Sequence, residues 1–481
     1  MKLRPTRSAY DLFHQGATAL ARIEANGIRV DVDYLQRADR KAAKRIARME
    51  EELRADPVWQ TWRREFGHKA NMGARPQLAR VLFDVMKITS PGETAKSKRH
   101  KTDALSLEAV ALTVPFVKIL LRMEQWKKLR ATYLGGLIRE TVDGFLHPVF
   151  NLHTVSTYRS SSSDPNFQNL PIRDGEFAEV IRKGFIPRPG RRLVENDFGA
   201  LEFRIAACFW QDPEMVKYAS DPTLDIHRDM AAECYACEPW QVSKDSRYCG
   251  KNQFVFPVLY GSYYVQCAKH LWENAGKMGL RLLTKGDANK KGSGATVYEH
   301  LAGKGIAELG ACDPKQSPKP GTFEHHIKGV ETRFMERFST FAHKKDEWYT
   351  AYRKVGGFIS PTGFVEDGLF SKNDLQNHPI QGSGFHCLLW TLIKQQTLLD
   401  KRGMQSLLVG QIHDCLLGDV PEDELQEYLR LVKKVVSRLL PQAWEWIIVP
   451  LEIEAEVTPV DGSWWEKSQW EEQAGTWKEK T

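Results

Sequence analysis

The sequence predicts an α+β fold, one sheet domain with a long helical insertion. Two observations carry this. Strand-like runs occur in two distant places: FLHPVFNLH and RRLVENDF after Asp143, then SLLVGQIHDCLLGDV and VPLEIEAEV near the end. Between them, from Pro213 to Val355, helical periodicity dominates, with one Gly/Lys/Pro-rich interruption.

Taken in order, GATALARIEANGIRVDVDYLQ opens with an amphipathic helix around Leu20, Ile23 and Ile28. A long charged helix follows from about Val32 to Arg54, and another helical pattern runs through Gln77, Leu78, Val81 and Leu82. TSPGETAKSKRHKT, from Thr89 to Thr102, reads as an exposed basic loop. Helical spacing resumes from Ser106 to about Val142. Turn signals in the middle of SLLVGQIHDCLLGDV predict a hairpin.

A chain of 481 residues allows about three structural units. Its 42% hydrophobic and 27% charged composition excludes a disordered or fibrous chain. No stretch reaches the roughly 18 apolar residues of a membrane span, so no membrane partner is expected. Eight cysteines in so long a chain do not suggest a disulfide framework, and the Cys234/Cys237 pair has no second pair at zinc-ribbon spacing. A reducing, intracellular setting is expected. The net charge of +7 is uneven: residues 1–130 hold 27 Lys/Arg against 15 Asp/Glu, and the remainder is slightly acidic. A basic front third is a candidate grip for a polyanion.

Three constellations carry chemistry. Asp197 ends the strand RRLVEND, and His413–Asp414 occupy the hairpin turn. If those strands adjoin, two carboxylates meet across about 217 residues of sequence and can hold two divalent ions for an in-line displacement. Either aspartate alone reads as an N-cap or turn residue. Third, Arg247 and Lys251 share one helix face, as do Phe256 and Tyr260. Two cations suit a triphosphate, and an aromatic beside them can stack on a base.

Together these residues resemble the family A DNA polymerases, the group of bacterial DNA polymerase I and its phage relatives, over nearly the whole chain. NDFGALEFRI looks like motif A, RYCGKNQFVFPVLYG like motif B and QIHDC like motif C. STYRSSSSDPNFQNLPIR resembles the segment before motif A, and QNHPIQGSG the segment between motifs B and C. The resemblance implies a right hand: an N-terminal segment and helical thumb over 1–150, an antiparallel-sheet palm over 151–212 and 367–481, and helical fingers over 213–366. It implies primer-template DNA and dNTPs as partners, two Mg²⁺ as cofactor and a cytoplasmic site of action, the host's cytoplasm for a phage-encoded chain. Asp197 and Asp414 would hold the metals, and Glu202 would exclude a ribose 2′-hydroxyl, with Tyr260 packed beside it. Arg247, Lys251 and His227 would reach the triphosphate, Lys251 as proton donor. Arg159, Gln168, Asn169, Asn377, Gln381 and His413 would contact the primer terminus or template through the minor groove, whose near-degenerate acceptors test pair shape.

Four departures from the family pattern stand out. Motif B is one residue too long: counting from Lys251 the stacking aromatic falls on Val255, counting back from Tyr260 on Phe256. A one-residue bulge between Lys251 and Phe256 would restore both faces and make Phe256 the stacking residue. A Phe there implies, by resemblance, discrimination against dideoxynucleotides. Cys415 stands where many relatives carry Glu, and is expected to be packed rather than reactive. Residues 271–327, with no recognised counterpart, read as an exposed elaboration. Finally, the thumb begins within about 20 residues of Met1, so the chain is expected to be phage-type and to lack a 3′–5′ exonuclease domain; either proofreading or processivity comes from another chain, or the sequence is a fragment. The reading is a DNA-dependent DNA polymerase with a replicative role. Its rivals are a related single-subunit RNA polymerase, which Glu202 opposes, and a non-catalytic DNA-binding replisome protein, which intact Asp197 and Asp414 oppose.

Overall fold

The computed structural model describes residues 3–94, 98–171, 174–287 and 292–480. At its centre lies a six-stranded antiparallel sheet of β1 (Arg191–Phe198), β2 (Leu407–Ile412), β3 (Cys415–Pro421), β4 (Ile453–Val457), β5 (Ser468–Gln473) and β6 (Thr476–Glu479). The spatial order is β6-β5-β4-β1-β3-β2, so β1 lies between strands drawn from the far end of the chain. The α+β expectation therefore holds. Side chains alternate across the pleat. Val194, Asn196 and Phe198 of β1 face a buried side, while Glu195 and Asp197 face the other. On that other side the rings of Phe167, Phe185 and Trp464 pack with centroids 5.6–5.9 Å apart, and the Trp464 indole donates to Glu195 at 2.7 Å. The Asp197 end stays open.

Helices surround this sheet in two arms. In the N-terminal arm, α1 (Arg7–Asn26) leans on β2, where Asn26 donates to the Leu408 carbonyl at 2.8 Å. Helix α2 (Val32–Ala55) starts on the Asp31 cap. After α3 (Ala104–Ala111), α4 (Pro115–Lys128) packs along α2, and the adjoining turn is tied to it by Arg130–Asp39 at 2.9 Å. The second arm comprises α5 (Leu201–Trp210), α6 (Ile226–Cys234), α7 (Lys244–Gly250), α8 (Tyr264–Met278), α9 (Phe323–Arg337) and α10 (Ser339–Val355). The chain then returns through the 30-residue α11 (Lys372–Lys401), packed on α1 and α5. Helix α12 (Leu425–Lys434) lies beneath the buried sheet face, where Tyr428 accepts from Asn196 at 3.3 Å. Among the described residues, no helix is long and apolar enough to cross a membrane.

Three local expectations need correction, and one hairpin was not anticipated. The first helix closes at Asn26, its Gly27 N–H returned to the Ile23 carbonyl, and Ile28 instead pairs with Leu146 in a short strand. The helical run from Ser106 breaks after Ala111, and Pro115 starts the next helix. The β5–β6 hairpin went unread because its exposed charged residues conceal the alternation; Trp477 is its buried anchor. Residues 271–327 are more than a surface elaboration. Leu280, Leu282, Val297, Leu301 and Phe323 are buried, and Trp272 packs against Tyr298 at 4.6 Å and Phe323 at 5.2 Å. Residues 288–291 of that segment, 95–97 of the basic loop and 172–173 of the segment before β1 lie outside the described residues.

The contact beneath β1 and β3 is tight enough to test. A Cβ on Gly418 would meet the Tyr428 hydroxyl at 2.3 Å. Gly418→Ala should therefore cost about 1–3 kcal/mol in urea unfolding. Adding Tyr428→Phe should recover part of the loss, because the clashing oxygen is gone. A Gly418→Ala variant as stable as the parent would contradict this packing.

Candidate active site

The site forms where β1 ends beside the β2–β3 turn. Asp197 pairs with Cys415 on β3 and with Glu454 on β4, and the Phe198 N–H donates to the Asp414 carbonyl at 3.3 Å. His413 and Asp414 make a two-residue turn, with His413 at φ 49. The two aspartates expected to meet are thus neighbours. Asp197 is exposed at the end of β1, yet protein surrounds it closely. That desolvation first, then Asp414, Glu195 and Glu454, pushes its carboxyl up to about 7, with Lys251 opposing. Hard oxygen donors crowded this way fit a divalent cation, which would relieve the repulsion. Among the described residues, no group of three or more ligand side chains forms a metal cluster.

After Asp197 the chain turns through Gly199 and Ala200, held by the Arg204 guanidinium on the Gly199 carbonyl at 3.0 Å. Helix α5 then begins, and its first turn presents Glu202. Burial, then Asp414, raises the Glu202 carboxyl, while Arg159 and Lys251 oppose. Arg159 stands 3.5 Å from Asp414 and 3.9 Å from Glu202, bridging the two acids. The Tyr260 hydroxyl is buried against Glu202 and coupled to it, short of a well-aligned hydrogen bond.

Motif B contains the expected bulge. Helix α7 leads into one wide turn over Lys251–Val255, in which the Phe256 N–H bonds to the Lys251 carbonyl five residues back. The extra residue rotates Val255 fully into the core and leaves Phe256 at the surface of the site. Phe256 stacks on Tyr260 with centroids 6.0 Å apart, and the Lys251 ammonium lies 5.5 Å over its ring. Arg247 is held at 2.6 Å by Asp225, which also caps α6. His227 follows that cap. It is buried beside Phe256, both ring nitrogens lack partners, and burial, then Lys251 and Arg247, push it down to about 3.

The other predicted residues divide. Gln168 is buried, its amide nitrogen donating to Gln411 at 2.6 Å and Ser160 at 2.9 Å. Asn169 and His413 are exposed. Asn377 and Gln381 lie one turn apart on α11, half-buried, and the Asn377 carbonyl oxygen has no partner. Cys415 is packed: burial, then Glu195 and Asp197, push its thiol well up. Burial likewise pushes Cys237 up to about 12, so the CxxC is no ready thiolate pair.

The sequence model described as DNA polymerase family A matches residues 32–277, more than half of the chain. The chain belongs to DNA polymerase family A. Among curated proteins similar to it, the thermostable DNA polymerase I of Thermus filiformis is 30% identical over 440 residues, covering 91% of this chain and 46% of its own. DNA polymerase I of Chloroflexus aurantiacus is 27% identical over 469 residues, covering 95% and 44%. The chain thus spans about half the length of the curated relatives it matches. The POL domain of Pol1 from M. smegmatis, solved in complex with DNA primer-template and dNTP, is similar in fold. Its TM-score is 0.71 at 23% identity, covering 94% of this chain and 70% of that one. The right-hand architecture of the family, with a sheet palm and two helical arms, is therefore the fold of this chain.

Sequence reading of this family A member missed two residues. Asp225 has an N-cap signature before IHRDM, yet its pairing with Arg247 depends on how α6 and α7 pack. Gln411, a polar residue within an apolar strand, was a visible signal. It is buried, accepts from Ser160 at 2.7 Å and from Gln168, and donates to the His413 carbonyl at 2.7 Å, pinning the turn that carries Asp414. Gln411→Ala should strand these partners and cost about 1–3 kcal/mol in urea unfolding. An unchanged midpoint would show that the network does not hold the turn.

Proposed function

We propose that this chain is a template-directed DNA-dependent DNA polymerase that adds dNTPs to a primer 3′-OH by metal-assisted nucleotidyl transfer. What carries the reading is that Asp197 and Asp414 adjoin, with the Arg247, Lys251 and Phe256 face of the helical arm nearby. The assigned parts are a thumb over 1–150, a palm over 151–212 and 367–481, and fingers over 213–366. Asp197 and Asp414 would hold the Mg²⁺ ions. Two such ions, when bound, activate the attacking hydroxyl and neutralise the leaving pyrophosphate.

The chain's own residues do the rest. Arg247 and Lys251 bind the triphosphate, and Lys251 delivers a proton to the leaving pyrophosphate. Arg247 is already oriented by Asp225, a partly exposed pair worth about 0–1 kcal/mol and so readily exchanged for phosphate. His227 stays neutral beside these cations and donates one N–H to a phosphate oxygen. Phe256 stacks on the incoming base. Glu202, backed by Tyr260, occupies the space of a 2′-hydroxyl. Arg159, Asn169, Asn377, Gln381 and His413 contact primer and template, and Gln168 reaches DNA through its free carbonyl oxygen while its nitrogen holds Gln411.

Primer extension tests this. Asp197→Ala and Asp414→Ala should each lower single-turnover dNTP incorporation by about 10³-fold or more while DNA binding persists. Unaffected extension in either variant would refute the assignment. Glu202→Ala should raise rNTP relative to dNTP incorporation by about tenfold or more. An unchanged ratio would place the gate elsewhere. Run lengths measured with a trap test the replicative role.

A further inference from the structure

We propose that Glu108 and Lys277 form a clasp that closes the N-terminal helices onto the helical arm and so encloses bound duplex DNA. The proposal rests on the polymerase reading above. Both arms rise from the sheet domain. The N-terminal arm is seated on it by α1, which packs on β2 and α11, and the second arm leaves it after β1 and returns through α11. Between them an ion pair crosses, with the Lys277 ammonium 3.4 Å from the Glu108 carboxylate. That contact completes a circuit from sheet to N-terminal helices, to helical arm, and back to sheet.

The two ends of the contact fit this purpose. Glu108 lies on α3, just beyond the basic loop; Lys118 and Lys128 line the same groove, as does the Arg75–Glu124 pair. Lys277 lies in the last turn of α8. Its neighbour Met278 touches Cys249, sulfur to sulfur at 3.6 Å, on the helix that presents Arg247 and leads into Lys251. The clasp therefore sits one contact away from the triphosphate helix. Its partners remain 51% and 37% exposed. Such a pair is weak and salt-screened, so it can open to admit DNA and close again behind it. A buried apolar seam would hold the arms shut against loading.

Charge reversal and swap test the clasp. Glu108→Lys and Lys277→Glu should each shorten synthesis runs, measured with a trap at low salt, by about two- to fivefold. Single-turnover insertion from preformed complexes should be unchanged, and the double swap should restore run length. Neither single variant shortening runs, or a shortening that the swap leaves unrepaired, would overturn the proposal. Enclosure is read directly by joining Glu108→Cys to Lys277→Cys with a short bismaleimide on primed circular DNA, the parent chain being treated alongside. The linked enzyme should survive a high-salt wash on circles and leave linear DNA; release from both would overturn enclosure. If the unlinked parent extends no primer at all, the polymerase reading fails. If it extends but the clasp variants behave as the parent, only the clasp fails.

Discussion

The site depends on one pairing, the antiparallel ladder between β1 and β3. It sets Asp197 opposite Cys415 and therefore next to Asp414. In a pleated strand a slip of one residue moves every side chain to the other face. Such a slip would bury Asp197 among the core residues and turn Asn196 out. The register is fixed from below, where Asn196 meets Tyr428 and Gly418 leaves room for that ring. It is fixed from the side by Gln411, which ties the turn to the Ser160–Gln168 segment.

Crowding acids at one strand end is electrostatically costly, and the surroundings show how it is managed. Arg159 reaches both Asp414 and Glu202, and Lys251 opposes the shifts at Asp197 and Glu202. Further along the same sheet face, Lys467 bridges Glu195 and Glu456. The carboxyl of Asp197 is nonetheless pushed up to about 7, first by desolvation and then by Asp414, Glu195 and Glu454, so its charged form is the costly one until a cation joins it. The wide turn in motif B answers a different constraint. The Lys251 ammonium lies over the Phe256 ring, and Phe256 stacks on Tyr260. One surplus residue between Lys251 and Phe256 is absorbed by a single i→i+5 turn. The helix continues and the faces stay aligned, at the expense of burying Val255.

Much of this was legible in residue order. Helix α2 was readable from its period and its Asp31 cap, and the strands β1, β2 and β3 from short apolar runs, with turn residues between β2 and β3. The bulge was legible from a counting mismatch between two anchored motifs. The β5–β6 hairpin was hidden because exposed charges blur the two-residue period. The core beneath residues 271–327 was hidden because Gly, Lys and Pro are spread among its apolar residues and blur any period, and those residues become a core only when Trp272, Tyr298 and Phe323 meet.

By itself the sequence determined the fold class, the strands that carry the acids, the candidate acids and cations, and the family, because each is written in local spacing. Which side chains act together was decided by the tertiary structure. Asp225 on Arg247, Gln411 under the Asp414 turn and Glu108 against Lys277 join residues from separate elements. The physical reason is that a charge or hydrogen bond acts over a few ångströms of space, and only packing converts distance along the chain into that space.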